Sequence, residues 1–92
     1  ICDALMAQTP GVLTFEINRI LVGQGAAVSD QEVAAAVAFA FRELKLVVEP
    51  GGAVALAAAL FDKDLPEVVI CTASGGNVDP ALFRTALERF AI

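Results

Sequence analysis

A run of nine apolar residues, Val33 to Phe41, constrains this chain most strongly, because it follows a clear helix-start signal. Ser29 and Glu32 fit the capping box, in which the serine oxygen accepts from the third helical amide and the glutamate accepts from the cap amide. The helix predicted from 30 to about 44 has no polar face along its body. Such a helix is normally buried on all sides, so it needs a cover.

A chain of this length has few other residues that could pack around the helix. A chain of 92 residues holds one domain at most, and a domain that small buries only about 60–65% of its unfolded surface. Hydrophobic residues nevertheless make up 58% of the sequence, and the mean hydropathy is +0.73. We therefore expect surplus apolar surface, covered by a membrane, by a second copy or by a missing part of the same protein.

A membrane is the weakest of these three covers. A spanning helix needs about 20 nearly uninterrupted apolar residues, and the charge-free run from Pro50 to Phe61 is much shorter and contains glycine. No secretory signal pattern opens the sequence. The chain begins with isoleucine rather than methionine, which fits a segment of a larger protein or a processed product.

Charge and residue types exclude several functions. The net charge is −5, and the six lysines and arginines are scattered without a basic stripe, which disfavours nucleic-acid binding. The chain has no histidine, so it cannot contain a histidine-based catalytic triad or a histidine metal site. We assign no metal site.

The two cysteines, Cys2 and Cys71, lie far apart in apolar segments. A secreted chain this short would normally carry a denser disulfide framework. We therefore expect two reduced cysteines packed as small hydrophobic side chains, in a cytoplasmic protein.

Three further helices are predicted. The first runs from Thr14 to about Val22 and has Gly23 as its C′ residue. The second runs from Pro50 to Phe61, and the third begins at Pro80 and is capped by Asp79. Short apolar runs at 26–28, 46–48 and 68–73 are predicted as strands. Helices that alternate with strands indicate an α/β fold with short parallel strands and flanking helices. So few strands make a poor sheet alone, so we expect the margin of a larger one.

Two glycines, Gly51 and Gly52, stand in the first turn of the helix predicted from Pro50. Each costs about 1 kcal/mol relative to alanine at a helical position. That cost suggests that the backbone must approach another part of the protein closely there.

Functional signals concentrate where the 68–73 run ends at Ser74-Gly75-Gly76-Asn77 and the last helix begins. Ligands of open α/β sheets lie beyond the carboxyl ends of strands, and glycines there admit a ligand to the backbone. A helix N-terminus also favours negative charge. The pattern fits a small-ligand contact or an ordinary strand-to-helix turn, and its spacing is neither a Walker nor a Rossmann motif.

Four segments, taken in order, resemble segments of fold-type II pyridoxal-phosphate enzymes. They are TPGVLT at 9–14, VSDQE at 28–32, LKLVVEPGGAVA at 44–55 and SGGNVD at 74–79. The segments are spread from residue 9 to residue 79, so that the resemblance extends along nearly the whole chain, and they are most similar to the group of threonine/serine dehydratases and serine racemase. The resemblance implies a single partial domain, residues 1–92, forming the C-terminal part of the large domain of such an enzyme.

The resemblance also implies site residues. Ser74 matches the serine that hydrogen-bonds the pyridine nitrogen of pyridoxal phosphate, with Gly75 beside it. Glu49 matches a glutamate near the cofactor ring, although it fits equally well as a helix-start carboxylate without a ligand. Neither Lys45 nor Lys63 matches the family's Schiff-base lysine, and the phosphate-binding loop has no match. We therefore assign no catalytic residue and expect the isolated chain to be inactive.

The parent protein is then expected to convert a hydroxy amino acid, L-threonine or L-serine, to a 2-oxo acid and ammonia by β-elimination. Racemisation and elimination from hydroxyaspartate are close variants. Its partners would be the amino-acid substrate, the remainder of the parent chain and further copies in a homo-oligomer, with no nucleic acid and no membrane. The alternative is a non-enzymatic, self-assembling or regulatory α/β module that buries the helix at 30–44 against a second copy.

Overall fold

Four α-helices make up most of the regular structure in a computed structural model that describes residues 1–90. They are α1 (Val12–Leu21), α2 (Asp30–Leu44), α3 (Val54–Phe61) and α4 (Pro80–Arg89). A short 3₁₀ helix, Asp3–Leu5, precedes α1, and a second one, Pro50–Ala53, leads directly into α3.

The predicted capping box at the start of α2 is confirmed. The hydroxyl oxygen of Ser29 accepts from the amide of Glu32 at 3.2 Å, and the carboxylate of Glu32 accepts from the amide of Ser29 at 2.7 Å. Two amides that have no partner inside the helix are thereby satisfied. At the other end, Lys45 closes α2 in the left-handed conformation, with φ of 60°.

The ends of the other helices follow the sequence less closely. Asp79 caps α4 by accepting from the amide of Leu82 at 2.9 Å, and Pro80 is the first helical residue, as predicted. Helix α1 begins two residues before the predicted start and ends at Val22 in extended conformation. The predicted C′ role of Gly23 is wrong, because Gly75 is the one glycine within residues 1–90 that has a positive φ.

Helix α2 forms the centre of the core. The 3₁₀ helix at 50–53, α3 and α4 all pack against it. Most of the buried side chains are small, and alanine lets neighbouring helices approach closely. Three short elements therefore cover much of α2, so most of the cover that we expected to be scarce is supplied by this chain. The core residues are Val33, Ala36, Val37, Ala40, Val48, Ala53, Leu56, Ala57 and Ala86.

Side chains of α2 also hold the last turn of α4. The guanidinium of Arg42 donates to the carbonyl oxygens of Leu87 and Phe90. The final carbonyls of a helix have no partner within it, so these bonds cap α4 from the side. Phe41 and Phe83 meet edge to face, with ring centroids 5.4 Å apart. Helix α4 is thus fixed to α2 by an aromatic contact near its start and by polar contacts at its C-terminal end.

The predicted α/β fold with parallel strands is wrong for the described residues, which are helical and contain no strand at 26–28, 46–48 or 68–73. A strand exists only where a neighbouring strand supplies ladder hydrogen bonds, and β-branched composition alone does not provide them. The 68–73 run lies instead at the surface, where Ile70 is fully exposed.

The surplus of apolar surface is confirmed, but it lies elsewhere than expected. The accessible surface of 6768 Å² exceeds by about a third the ~5,000 Å² typical of a folded monomer of this mass. The radius of gyration is 14.0 Å, against about 12 Å for a compact domain of this length. Helix α1 carries much of the uncovered surface, through Val12, Leu13, Phe15, Ile17, Ile20 and Leu21.

None of the helices in the described part of the chain is long and apolar enough to cross a membrane.

We predict that Ser29→Ala lowers the free energy of unfolding by about 1 kcal/mol, because one amide of the first turn loses its acceptor. Urea unfolding followed by helical circular dichroism measures the change. Gln31→Ala is the control, since this exposed neighbour takes no part in the capping box. An unchanged midpoint in Ser29→Ala would contradict the capping role.

We predict unequal effects for two leucine-to-alanine changes. Leu56 is 7% exposed and Leu13 is 74% exposed. Leu56→Ala should lower the free energy of unfolding by about 2–4 kcal/mol, since it leaves a cavity in the core, whereas Leu13→Ala should change it by less than about 0.5 kcal/mol. Equal losses in urea unfolding would show that α1 belongs to the core.

Candidate functional site

Two turns lie against each other on one side of the core. Residues 74–77 form the serine–glycine turn, and residues 49–52 form the facing turn. The amide of Ser74 donates to the carbonyl of Gly52 at 3.2 Å, and the amide of Glu49 donates to the carbonyl of Gly75 at 3.1 Å. The amide of Gly52 donates to the carbonyl of Glu49 at 3.0 Å within the facing turn. Backbone hydrogen bonds therefore fix the two turns to each other.

The three residues assigned to the cofactor site from the sequence come together here. Gly75 has φ of +72°, a conformation that favours glycine. A Cβ atom at Gly75 would overlap the carboxylate oxygen Oε1 of Glu49 and lie 3.1 Å from its Cδ atom. The half-buried carboxylate of Glu49 thus rests on the backbone of Gly75. Their contact with a cofactor stays a prediction.

Ser74 and Gly75 are both exposed, so a ligand can reach the serine–glycine turn. A serine hydroxyl both donates and accepts a hydrogen bond, which suits a neutral heteroaromatic nitrogen as well as a protonated partner. The volume that a side chain at Gly75 would fill is taken by the carboxylate of Glu49. The turn can therefore hydrogen-bond a small molecule through the hydroxyl of Ser74.

Gly52 belongs to this site, although its place there could not be read from the sequence. It is buried, and a Cβ atom on it would overlap the carbonyl oxygen of Ser74 and lie 2.6 Å from the carbonyl carbon. The close backbone approach predicted for the double glycine is thus confirmed at Gly52. A Cβ atom at Gly51 would meet only side chains, with the Cβ atom of Ala4 at 3.2 Å and the Cγ atom of Leu5 at 3.8 Å.

The N-terminus of α4 follows the serine–glycine turn, and a negative group already occupies it. The carboxylate of Asp79 accepts from the amide of Leu82 at 2.9 Å. A second anion at this helix end would meet a like charge. The preference for negative charge that the sequence suggested is therefore satisfied within the chain.

The two lysines occupy positions at the surface. The ammonium of Lys45 donates to the carbonyl of Arg42 at 2.5 Å, where α2 ends. Lys63 is exposed in the loop that follows α3. Among residues 1–90, no group of three histidine, cysteine, aspartate or glutamate side chains could hold a metal ion.

An open cavity of about 260 Å³ lies away from the serine–glycine turn, between the start of α2 and α4. Its lining is mainly apolar, with Asp30, Thr85 and Arg89 among its residues. None of the three predicted site residues borders this cavity. It therefore adds nothing to the candidate site.

The two thiols differ in environment. Cys71 is exposed, so the prediction that it packs as a hydrophobic side chain is wrong. Cys2 is half-buried against the core, as predicted. Burial raises the pKa of the Cys2 thiol above its ordinary value, and the nearby carboxylates of Asp30 and Asp3 raise it further, while the N-terminal ammonium opposes them.

Residues 1–75 match the family model described as "Pyridoxal-phosphate dependent enzyme". Two relatives called L-threonine ammonia-lyase are each 38% identical to the chain. The one from Geobacter sulfurreducens aligns over 97% of the chain and 23% of its own length, and the one from Thermotoga maritima over 86% and 20%. The L-threo-3-hydroxyaspartate ammonia-lyase of Saccharomyces cerevisiae is 36% identical over 96% of the chain and 28% of its own length.

The chain therefore spans between a fifth and somewhat over a quarter of the length of these relatives. No solved structure matches it.

We predict that iodoacetamide at neutral pH alkylates Cys71 before Cys2, because Cys71 is exposed and the raised pKa of Cys2 leaves less thiolate there. Peptide mass spectrometry over a time course measures both rates. The rate at Cys2 should continue to rise with pH above the range in which an ordinary thiol is fully ionised. Faster labelling of Cys2 at neutral pH would contradict the assigned burial.

Proposed function

Because this chain belongs to the family of pyridoxal-phosphate-dependent enzymes, we propose that it forms part of an ammonia-lyase acting on L-threonine or L-serine. The reaction is a β-elimination that gives a 2-oxo acid and ammonia. The observation that carries the proposal is the meeting of Glu49, Ser74 and Gly75 at one site. The similarity to two L-threonine ammonia-lyases supports the reaction class.

The residues present fit pyridoxal phosphate. Ser74 is exposed, and the carboxylate of Glu49 lies beside it, in the volume that a side chain at Gly75 would fill. Ser74 would hold the pyridine nitrogen, and Glu49 would lie near the ring. When bound, the cofactor supplies an electron sink for the negative charge that develops at the α-carbon of the amino acid.

The contribution of Ser74 follows from the chemistry of its hydroxyl. A hydroxyl can donate its proton in a hydrogen bond to an unprotonated ring nitrogen, whereas a carboxylate in that place would favour protonation of the nitrogen. Ser74 would therefore permit a neutral ring, whose electron demand is moderate. Moderate demand suits elimination, in which the β-hydroxyl group leaves soon after the α-proton is removed.

Other functional groups must come from elsewhere in the protein. Neither Lys45 nor Lys63 lies in a segment that resembles the family's lysine segment, and the chain spans only part of its relatives' length. We therefore assign the cofactor-bound lysine and the phosphate-binding loop to residues outside these 92, and we expect the isolated chain to be inactive. We further propose a cytoplasmic homo-oligomer, in which the apolar side chains of α1 become covered.

The decisive experiment uses the longest natural polypeptide that contains these residues. It is incubated with pyridoxal phosphate and with L-threonine, L-serine or 3-hydroxyaspartate, while cofactor absorbance, ammonia and 2-oxo acid are followed. We expect stoichiometric release of ammonia and 2-oxo acid from one of the three substrates. A stable oligomer that binds no pyridoxal phosphate would refute the proposal and favour a non-enzymatic module.

We predict that Ser74→Ala in that polypeptide weakens the affinity for pyridoxal phosphate by roughly tenfold, the loss expected for one hydrogen bond. Equilibrium dialysis of the apo-protein measures the affinity. Ser29→Ala is the matched control, because it removes a serine hydroxyl from the start of α2 and should lower stability without changing cofactor affinity. Equal affinities of Ser74→Ala and wild type for pyridoxal phosphate would contradict the assignment of Ser74 to the cofactor site.

A further inference from the structure

Gly52 touches Ser74 through its backbone at two points. The carbonyl oxygen of Gly52 accepts the amide hydrogen of Ser74 at 3.2 Å. The Cα atom of Gly52 faces the peptide group that follows Ser74, so that an added Cβ atom would overlap its oxygen and lie 2.6 Å from its carbon. Backbone atoms cannot rotate away as the end of a flexible side chain can. The absence of a side chain at position 52 therefore sets how near Ser74 lies.

The two partners in this contact are not equally free to move. Gly52 lies in the 3₁₀ helix that carries buried Pro50 and Ala53 and leads into α3, which buries Leu56 and Ala57 in the core. Ser74 is exposed and follows an exposed run in which Ile70 has no cover. A side chain at position 52 would therefore displace the serine–glycine turn rather than the core.

We propose that Gly52 is a positioning residue, whose missing side chain sets the place of the Ser74 hydroxyl for the pyridine nitrogen of pyridoxal phosphate. The proposal rests on the proposed function and adds to it a residue that does not touch the cofactor. Its action passes through Ser74. A substitution at Gly52 should therefore affect cofactor binding only through the displacement of Ser74, and it should have no further effect once the Ser74 hydroxyl is removed.

This dependence is tested by a double-mutant cycle of Gly52→Ala, Ser74→Ala and the double variant in the longest natural polypeptide containing these residues. The readouts are the affinity of the apo-protein for pyridoxal phosphate and the absorbance maximum of the bound cofactor. Each single variant should lose roughly tenfold in affinity. The double variant should also lose roughly tenfold, whereas independent effects would multiply to about 100-fold.

The chain offers two matched controls. Gly51→Ala makes the same chemical change in the same 3₁₀ helix, where the added atom meets the side chains of Ala4 and Leu5 and no backbone atom within 4 Å. Gly25→Ala adds a Cβ atom that has nothing within 4 Å. Both controls should keep wild-type affinity and absorbance, while Gly52→Ala should show the absorbance shift of Ser74→Ala. A general loss of stability would not reproduce that shift.

A second variant covers the case in which Gly52→Ala does not fold. Gly76→Ala should displace the same turn by less than Gly52→Ala does. Its Cβ atom would lie 2.8 Å from the carbonyl oxygen of Val47, whereas a Cβ atom at Gly52 would overlap the carbonyl oxygen of Ser74. It should weaken cofactor affinity in wild type but not in the Ser74→Ala background. Wild-type affinity in Gly52→Ala, or in Gly76→Ala where the former fails to fold, overturns the positioning role alone. Absence of pyridoxal phosphate binding in the wild type overturns both this role and the proposed function.

Discussion

The burial of α2 is the constraint on which the rest of the structure depends. Its body has no polar face, so water must be kept from nearly its whole circumference. The 3₁₀ helix at 50–53, α3 and α4 meet this demand by lying close around it. That arrangement also fixes the position of the facing turn, because residues 49–52 lead through the 3₁₀ helix directly into α3, which packs on α2. The candidate site is therefore held by the packing of α2.

Local features of this fold could be predicted from the sequence, and non-local ones could not. The Ser29–Glu32 box and the Asp79 cap depend on residues three positions apart, so their sequence pattern already contains the interaction. The run at 68–73 has the composition of a strand, but a strand depends on hydrogen bonds from another segment. Within residues 1–90 no such neighbour pairs with it, and the predicted α/β class is wrong for that reason.

The candidate site shows the same division. Ser74, Gly75 and Glu49 were assigned through resemblance to a family, and the structure brings these three residues together. Their role towards pyridoxal phosphate remains a proposal. The two glycines at 51–52 predicted a close approach of the backbone to another segment, but only the fold identifies Ser74 as the residue that Gly52 contacts. The unfavourable helix propensity of glycine indicates that a close contact is present at these positions, but it does not indicate which segment makes the contact.

The small side chains of the core have a consequence for how this sequence can vary. Alanine has no rotamers, so its burial at positions 36, 40, 53, 57 and 86 loses no side-chain entropy. For the same reason these positions have no means of adapting when a neighbour grows by one methylene group. Large apolar residues on α1 face open space and can exchange size freely in this chain. The small buried alanines should therefore tolerate substitution less well than the large apolar residues of α1, the reverse of the usual pattern in which the bulkiest residues are the least replaceable.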